Sequence, residues 1–324
     1  MCTAITYHGE AFYFGRNLDL EYGFQETVTI TPRNYIFHFR NGEVFGSHNA
    51  IIGIATVAEG FPLYYDATNE KGLSIAGLNF PGNATYLPYD ENKNNICSFE
   101  LIPYLLSKCE SVSQVRKILA NANVWDEPFS KAFPTTPLHW IAADKAESIT
   151  IEPMRDGLKI FDNAIGVLTN SPTFDYHMTN LANYMQLTPK APVNAFSKHI
   201  KLEPYSLGMG AIGLPGDASS ASRFVRAAFT KMNAVSAPDN ESCVTQFFHI
   251  LDSVAQSNGI THVKNDQYEI TRYTSCCNAS TGIYYYSTYA NRQINAVNLY
   301  AQELDDSKLT LYPLLNKQNI HCQN

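Results

Sequence analysis

The chain has 324 residues, of which 45% are hydrophobic, and its formal net charge is −7. This length and apolar content suffice for a substantial core and exclude a chain that is disordered by composition. The negative charge and the lack of any basic run argue against a nucleic-acid partner. No apolar stretch approaches the roughly 20 residues that span a bilayer, and no secretory signal precedes the first strand. The sequence therefore predicts a soluble cytoplasmic protein without a membrane partner.

The cysteines, histidines and glycines show no pattern of a metal or cofactor site. The seven cysteines are odd in number, the nine histidines are scattered, and the adjacent Cys276 and Cys277 fit neither a zinc site nor a redox pair. The glycines of residues 208–213 match a dinucleotide fingerprint, but no clear strand precedes them, and Pro215 breaks the chain where a helix should begin. We therefore predict no metal and no cofactor, and we interpret this segment as a flexible or assembly loop.

The first 80 residues are predicted to form strands in an antiparallel meander, because apolar residues alternate with polar ones or form short runs between turn residues. A hairpin reaches to Asp19, and a break is expected at residues 59–62. The further strands are predicted at residues 26–32, 35–39, 51–57, 63–67 and 73–79.

The rest of the chain alternates between helices and strands. Two helices are expected within residues 98–123, with Pro103 in a first turn and a capping box at residues 111–114. Further helices are predicted at 177–187, 219–235 and 242–256, and strands at 138–143, 148–152, 158–161, 166–169, 267–275, 282–289, 293–298 and 308–312. Irregular segments are predicted at residues 124–137 and 188–218. This order of elements fits a single α+β domain over residues 1–324, with helices covering stacked sheets.

The opening residues give the strongest chemical signal. A small second residue, Cys2, allows methionine aminopeptidase to remove Met1, which leaves a thiol and a free α-amine on one residue. The amine, with a reference pKa of about 7.7–8, can accept the thiol proton, and Arg16 can favour the thiolate. A lone cysteine at a loose terminus is usually inert. Here residues 3–7 resemble a strand, and Arg16 and Asp19 follow on the returning strand, which favours a functional cysteine.

Three further residues are candidates for the same site. Asn79 and Asn170 end predicted strands beside proline-containing turns, where an amide can serve as an oxyanion donor, although an asparagine in a turn is commoner. Arg223 lies in the first turn of a predicted helix, where a cation opposes the helix dipole. We therefore expect Arg223 to have an anionic partner elsewhere, with a surface arginine as the default alternative.

Several motifs together resemble the choloylglycine hydrolase family, the conjugated bile-salt hydrolases and penicillin V acylases, within the N-terminal nucleophile hydrolases. The resemblance spans essentially the whole chain in order. The motifs are Met1-Cys2-Thr3, Phe14-Gly15-Arg16-Asn17-Leu18-Asp19, Asn69-Glu70-Lys71-Gly72-Leu73, Gly77-Leu78-Asn79-Phe80-Pro81, Leu168-Thr169-Asn170-Ser171-Pro172-Thr173-Phe174-Asp175, Leu214-Pro215-Gly216-Asp217, Ala221-Ser222-Arg223-Phe224 and Tyr273-Thr274-Ser275-Cys276.

This resemblance implies the fold and the first part of the site. The fold would be a four-layer αββα sandwich of two stacked antiparallel sheets covered by helices. Cys2 would be the nucleophile with its own amine as the base, Arg16 would favour the thiolate, and Asp19 would orient the amine by a hydrogen bond.

The resemblance also implies an oxyanion site and a substrate. Asn79 and Asn170 would serve the oxyanion, and Arg223 would support the centre. Bile-salt hydrolases of the family tend to carry asparagine at the position of Asn79, whereas penicillin V acylases tend to carry tyrosine. The implied substrates are bile salts conjugated with glycine or taurine, and penicillin V is the alternative.

The remaining implications concern the pocket and the assembly. Family members often form tetramers, so a homo-oligomer is implied, with residues 188–218 as a candidate subunit contact. A non-catalytic binding or assembly protein is the alternative if Met1 is retained. The candidate residues for the steroid pocket, each with plain core packing as the rival interpretation, are Leu18, Phe24, Phe61, Tyr65, Phe129 and Phe133.

Overall fold

The computed structural model describes residues 1–235 and 238–324. Within these ranges, no helix combines the length and apolar character that a membrane span requires. The helices are α1 (Leu101–Lys108), α2 (Val112–Leu119), α3 (Phe174–Leu181), α4 (Ser220–Met232) and α5 (Asn240–Asp252). The strands are β1 (Cys2–His8), β2 (Phe12–Leu20), β3 (Thr27–Thr31), β4 (Phe37–His38), β5 (Val44–Phe45), β6 (Ile51–Ala58), β7 (Phe61–Asn69), β8 (Ser74–Asn79), β9 (Asn94–Cys97), β10 (Ala122–Trp125), β11 (Leu138–Ala143), β12 (Ser148–Met154), β13 (Gly157–Asp162), β14 (Val167–Leu168), β15 (Thr261–His262), β16 (Tyr268–Asn278), β17 (Ile283–Thr288), β18 (Asn291–Asn298) and β19 (Thr310–Pro313).

Two antiparallel sheets form the centre of the molecule. Sheet I has the strand order β14-β1-β2-β16-β17-β18, and sheet II has the order β13-β12-β11-β8-β7-β6-β3-β19. The predicted meander is therefore right for β3, β6, β7 and β8, which follow one another in sheet II. It is wrong for the opening hairpin, which belongs to sheet I, because β2 pairs with β16 from the far end of the chain rather than with β3.

The alternation of side chains along sheet II creates two apolar layers. In β6, Ile52 and Ile54 point into the core shared with sheet I, α4 and α5, whereas Ile51 and Ala55 point into a second core under α1 and α2. This period of two is what a strand buried on both faces requires. The resulting order of layers, helices, sheet, sheet and helices, confirms the αββα sandwich.

Glycine 15 allows β2 and β16 to approach closely beside the candidate site. A Cβ atom on Gly15 would lie 2.0 Å from the carbonyl oxygen of Ser275 in β16, a distance that no side chain tolerates. The glycine of the 14–19 motif is therefore a structural requirement, because the next residue, Arg16, must remain in register on the same strand.

Several element boundaries differ from the prediction. The strand predicted at 35–39 shrinks to Phe37–His38, and the break at 59–62 is confined to the turn at 59–60. Pro62 is tolerated inside β7 because β8 pairs only with residues 66–68, so that β7 has a single neighbour at Pro62. The helix predicted at 177–187 begins earlier, at Phe174, and ends at Leu181.

The predicted capping box is wrong in its contacts, although α2 begins where it was expected. Ser111 is the N-cap residue, but its side chain makes no capping hydrogen bond. Instead, the amide of Val112 donates to Asp144 Oδ2 at 2.7 Å, and the amide of Glu110 donates to Gln114 Oε1 at 2.7 Å. A carboxylate from a distant turn thus satisfies the helix end.

Residues 188–218 lie on the surface and contain one 3₁₀ turn, Met209–Ala211, as their regular structure. Large apolar side chains of this segment are exposed to solvent, with Leu207 fully so. Others that are more than four-fifths exposed are Val193, Phe196 and Tyr205.

Candidate active site

The β1–β2 hairpin places Cys2 and Arg16 on one face of sheet I. The register pairs Cys2 with Leu18 and Ala4 with Arg16. Because side chains alternate between the faces of a strand, Cys2, Arg16 and Leu18 point in the same direction. This direction is toward sheet II, since Arg16 donates a hydrogen bond to the carbonyl oxygen of Tyr65 in β7 at 3.1 Å.

The Arg16 side chain crosses the interface between the two sheets. It is fully buried, and its Nη1 donates to the carbonyl oxygens of Tyr65 and Gly77, while Nη2 has no partner among the described residues. Burial lowers the pKa of Arg16, but the negative charges that Cys2 and Asp66 carry when ionised raise it overall. A permanent cation therefore lies near the Cys2 thiol.

Asp66 is a buried carboxylate that the sequence analysis did not single out. In sheet II, it accepts hydrogen bonds from the hydroxyl groups of Tyr273 at 2.7 Å, Ser275 at 3.0 Å and Tyr284, all from sheet I. The pKa of Asp66 is raised overall. Burial raises it by more than the charge of Arg16 and these hydrogen-bond donors lower it. An aspartate within the apolar strand predicted at 63–67 was the signal that could have revealed it.

Asp19 lies on the opposite face of β2 from Arg16. Its Oδ1 accepts a hydrogen bond from Thr271 Oγ1 at 2.7 Å, and its Oδ2 has no partner among the described residues. Burial raises the pKa of the Asp19 carboxyl, and the positive charges of Arg223 and the N-terminus counteract this effect. Among the described residues, one carboxylate oxygen of Asp19 can thus accept a hydrogen bond from a further donor near the chain terminus.

Met1 extends the antiparallel pairing of β1 and β2. The Met1 amine donates to the carbonyl oxygen of Asp19 at 2.8 Å and pairs with Glu269 Oε2 at 2.6 Å, and the amide of Asp19 donates to the Met1 carbonyl at 2.9 Å. Cys2 N is consequently a peptide amide here, and it donates to Asn170 Oδ1 at 2.8 Å.

The Asn170 side chain joins Cys2 to the two other candidate residues. Its Oδ1 accepts from both Cys2 N and Arg223 Nη2, the latter at 2.7 Å, and its Nδ2 donates to the carbonyl oxygen of Asn79 at 2.7 Å. The Asn79 Oδ1 atom is buried without a partner in the described part of the chain. The structure therefore brings Asn79, Asn170 and Arg223 together at the first residue of β1.

Arg223 is wholly buried, so the interpretation as a surface arginine is wrong. Its Nη1 donates to the carbonyl oxygen of Cys2 and, at 2.7 Å, to Thr3 Oγ1, and its Nε donates to the carbonyl oxygen of Ala218. The expected anionic partner is also absent from direct contact, because every hydrogen-bond acceptor found for Arg223 within the described ranges is a neutral oxygen. Burial lowers the pKa of Arg223, and the charge of Asp19 acts against this from a greater distance.

His177 supports the backbone of Asn170 from α3. Its Nε2 lies 2.9 Å from the carbonyl oxygen of Asn170, and its ring stacks on Phe224 with centroids 4.7 Å apart. Because a carbonyl oxygen only accepts, Nε2 must carry the proton. Burial lowers the pKa of His177 from 6.5 to about 4, so the ring is neutral at physiological pH.

We expect His177 to destabilise the protein in acid. Its pKa is lower in the folded state than in the unfolded state, so the unfolded chain binds the proton more tightly and stability falls as the pH drops from 6.5 toward 4. Between pH 7.5 and pH 5 this amounts to about 2 kcal/mol of unfolding free energy. Urea unfolding at the two pH values measures it. The matched control is His177→Gln, which retains a donor for Asn170 but does not titrate; an equal loss in both proteins would contradict the prediction.

Four of the six pocket candidates form a connected aromatic cluster. Ring centroids are 6.3 Å apart for Phe24 and Phe133, 6.1 Å for Phe129 and Phe133, and 6.0 Å for Phe61 and Phe129. Tyr65 approaches from one side, since Thr56 Oγ1 bonds both the Tyr65 hydroxyl and the Phe24 carbonyl. These aromatic residues are only partly buried and can offer an apolar surface.

Leu18 differs from the other candidates, because it is only 3% exposed and belongs to the main core. The sequence analysis also missed Phe99, whose ring lies 5.3 Å from that of Phe129. It missed Arg40 as well, which donates to the Phe129 carbonyl at 2.8 Å and lies over both rings. These residues come from separate elements, so no local pattern identified them.

The geometry is suited to nucleophilic acyl transfer. A buried cation near a thiol favours the thiolate, and amide and guanidinium donors at the same point can stabilise an oxyanion. Among the described residues, no cluster of side chains suits a metal ion.

The architecture is that of the N-terminal nucleophile hydrolases. The chain superimposes on the crystal structure of the C2A mutant of the Clostridium perfringens conjugated bile acid hydrolase with a TM-score of 0.92 and 38% identity, and both chains are fully covered. A penicillin V acylase from Agrobacterium tumefaciens, 19% identical, shares the fold with a TM-score of 0.76 over 96% of this chain and 90% of its own.

The family model described as linear amide C–N hydrolases, choloylglycine hydrolase family, matches residues 2–312. The chain is also 53% identical over 324 residues to a bile salt hydrolase/transferase of Lactiplantibacillus plantarum, with both proteins covered completely. The chain therefore belongs to the choloylglycine hydrolase family and is a hydrolase of linear amide bonds, as the resemblance of its motifs implied.

Proposed function

We propose that this enzyme hydrolyses the amide bond of bile salts conjugated with glycine or taurine, with Cys2 as the nucleophile. The observation that carries the proposal is the meeting of Cys2 with Arg16, Asn170 and Arg223 at the start of β1. The substrate is supported by the names of the relatives, a bile salt hydrolase/transferase and a conjugated bile acid hydrolase. Asparagine at position 79 supports the same substrate.

Removal of Met1 is the first step of the proposed mechanism. It converts Cys2 N from an amide into an α-amine at a point where Asn170 Oδ1 accepts its hydrogen bond. Asp19, which keeps one oxygen without a partner among the described residues, orients this amine and stabilises its ammonium form. The amine then takes the proton of the thiol, and Arg16 stabilises the thiolate.

The chemical steps balance within this set of groups. The thiolate attacks the carbonyl carbon of the bile-acid side chain, and Asn79 and Asn170 stabilise the developing oxyanion. The C–N bond breaks as the α-ammonium protonates the leaving amine, which leaves a thioester on Cys2. Water then gives a proton to the α-amine and attacks the thioester, so that the C–S bond breaks and the free bile acid departs.

The assay that tests the proposal compares amine release from glycocholate and taurocholate with cleavage of penicillin V, on protein whose N-terminal mass is known. Fast turnover of the bile salts with little penicillin cleavage supports the proposal. The reverse result would assign a penicillin V acylase with the same mechanism. Retention of Met1 together with inactivity toward all three would favour a non-catalytic binding or assembly protein.

The aromatic cluster is the proposed steroid site. We expect Phe129→Ala to raise KM for glycocholate about 5- to 30-fold, because a buried aromatic contact contributes about 1–2 kcal/mol, with kcat nearly unchanged. The control is Phe229→Ala, which removes a half-buried ring of α4 that has no part in the cluster. Equal KM values for the Phe129 variant and the unsubstituted enzyme would place the steroid elsewhere.

Acyl transfer is a second activity that one observation favours. The relative at 53% identity is named a hydrolase/transferase, and a thioester on Cys2 can react with an amine as well as with water. Incubating a conjugated bile salt with an excess of a different amino acid tests this, since transfer yields the new conjugate and hydrolysis alone yields free bile acid.

The cellular setting and assembly form part of the same proposal. We infer that the chain acts in the cytoplasm as one domain and assembles as a homotetramer. The exposed apolar side chains of residues 188–218 are the proposed subunit contact, because burial of such side chains is a common source of association energy. Light scattering of the protein, and of a form with Phe196 and Leu207 changed to serine, tests this.

A further inference from the structure

The segment that carries Asn170 is held by side chains rather than by a sheet. Strand β14 ends at Leu168, so the backbone of Thr169 and Asn170 has no ladder partner. The backbone amide of Asn170 donates to Ser220 Oγ at 2.8 Å, and the backbone carbonyl oxygen of Asn170 accepts from His177. The remaining acceptor, the carbonyl oxygen of Thr169, accepts from His139 Nε2 at 2.8 Å.

His139 is paired with a buried glutamate. The register that places Trp140 opposite Ile151 also places His139 of β11 opposite Glu152 of β12. His139 Nδ1 lies 3.3 Å from Glu152 Oε1, and both side chains are fully buried. The His139 ring is stacked on Phe80 with centroids 4.1 Å apart and planes at 7°, so its orientation is fixed from a second side.

The hydrogen bonds determine where the protons are. The Thr169 carbonyl can only accept, so Nε2 of His139 must carry a proton. The contact between Nδ1 and Glu152 then requires one more proton, which is held either by the imidazole or by the carboxyl group. Glu152 Oε1 also accepts from the amide of Phe174 at 2.9 Å, which is the first residue of α3. His139 thus binds the first residue of the segment 169–174, and Glu152 binds the last.

We propose that His139 and Glu152 form a positioning pair, which holds the side-chain amide of Asn170 in the geometry required to bind the oxyanion. Neither residue contacts Cys2 in the structure, and their effect passes through the backbone of Thr169 and the start of α3. A misplacement of an oxyanion donor by about 1 Å costs on the order of 10²-fold in rate, so a rigid support is needed. This inference rests on the role proposed above for Asn170.

Two substitutions of His139 separate the hydrogen bond from the stacked ring. His139→Phe retains the ring on Phe80 but loses both nitrogen contacts. His139→Gln loses the ring but retains an amide donor at the place of Nε2. We expect kcat to fall about 10- to 100-fold in the Phe variant, with KM within about two-fold of the original, and to recover to within about three-fold in the Gln variant.

Alkylation of Cys2 by iodoacetamide is the control that a general structural defect would change. We expect its rate to stay near that of the unsubstituted enzyme in His139→Gln and to fall far less than kcat in His139→Phe, because Arg16 and the thiol keep their places and only the contact of Cys2 N with Asn170 is disturbed. Since His139→Phe leaves the buried Glu152 with the amide of Phe174 but without its imidazole partner, the double variant His139→Phe/Glu152→Gln is made as well. It replaces the carboxyl group by an amide but keeps an acceptor for Phe174, and the same loss of kcat is expected.

Three kinetic results would overturn the proposal: full kcat in the Phe variants, no recovery in the Gln variant, or alkylation that slows in parallel with kcat. If the proposed substrate is wrong, the unsubstituted enzyme already fails to cleave the bile salts. The kinetics of the variants are then compared with penicillin V as the substrate. Crystal structures of the variants give a readout that needs no substrate. The side-chain amide of Asn170 is expected to move in His139→Phe and to stay in place in His139→Gln. An unmoved side-chain amide in both variants would refute the inference.

Discussion

The Cys2→Ala variant is expected to lose amide hydrolysis by roughly four orders of magnitude or more, because the covalent route through the thioester is removed. The fold should be unaffected, since the side chain is replaced by a smaller one at a site held mainly by backbone contacts. Amine release from glycocholate and the thermal midpoint are the two measurements.

The matched control is Cys2→Ser, which keeps a nucleophilic atom but replaces the thiol by an alcohol. The hydroxyl group is far harder to ionise, so we expect activity well below that of the native enzyme. Both variants carry a small second residue, and their N-terminal masses must show that Met1 has been removed as in the native protein. Full activity of the serine variant would refute a mechanism that depends on a thiolate.

The second large effect is expected at Asn170. Removing one oxyanion donor typically costs about 10²- to 10³-fold in kcat, and we expect a loss of this size for Asn170→Ala. The alanine variant also leaves Cys2 N and Arg223 Nη2 without their shared acceptor, so part of the loss could come from a displaced terminus.

Asn170→Asp separates the two roles of this side chain. Aspartate keeps one oxygen for Cys2 and Arg223, but its second oxygen takes the place of the Nδ2 donor. This second oxygen would face the carbonyl oxygen of Asn79, so that two acceptors would meet there. If the donor is what matters, the aspartate variant loses as much activity as the alanine variant. An aspartate variant with near-native kcat would show that Asn170 acts only as an acceptor. Steady-state kinetics at fixed pH decide between these outcomes.

The part of the site that could be predicted from sequence is the part formed by neighbouring residues. Cys2 and Arg16 lie on one hairpin, so strand alternation alone puts them on the same face. The motifs that resemble the family added Asn79, Asn170 and Arg223, because each retains recognisable neighbours along the chain. The αββα class followed from the same motifs and from the order of strands and helices.

The part that could not be predicted depends on contacts between distant segments. Asp66 is connected to Tyr273 and Tyr284, more than 200 residues away, and no spacing along the chain indicates which strands will face each other. The support of Asn170 by His139 has the same character. Arg223 was expected to need an anion because only its own helix was considered, whereas oxygens from β1 and the 169–174 segment satisfy it.

The sequence could not separate pocket candidates from core residues, because the two kinds of residue are chemically alike. Leu18 and Phe129 are both large apolar residues, yet the first is packed in the core and the second is partly open. Only the arrangement of the segment 124–137 over β7 separates the two environments.

The position of Met1 has a practical consequence for producing the enzyme. Its amine is bound to Glu269 and to the Asp19 carbonyl, and its carbonyl continues the strand pairing, so an affinity tag joined here would start beside Asp19 and Glu269 and would disturb these contacts. Such a fusion would also keep Cys2 N, the proposed base, in an amide linkage for as long as the tag remained. Residues 320–324 are exposed and lie beyond β19. Purification handles and surface-immobilisation tags therefore belong at the carboxyl end, where they leave Cys2 and its nitrogen untouched.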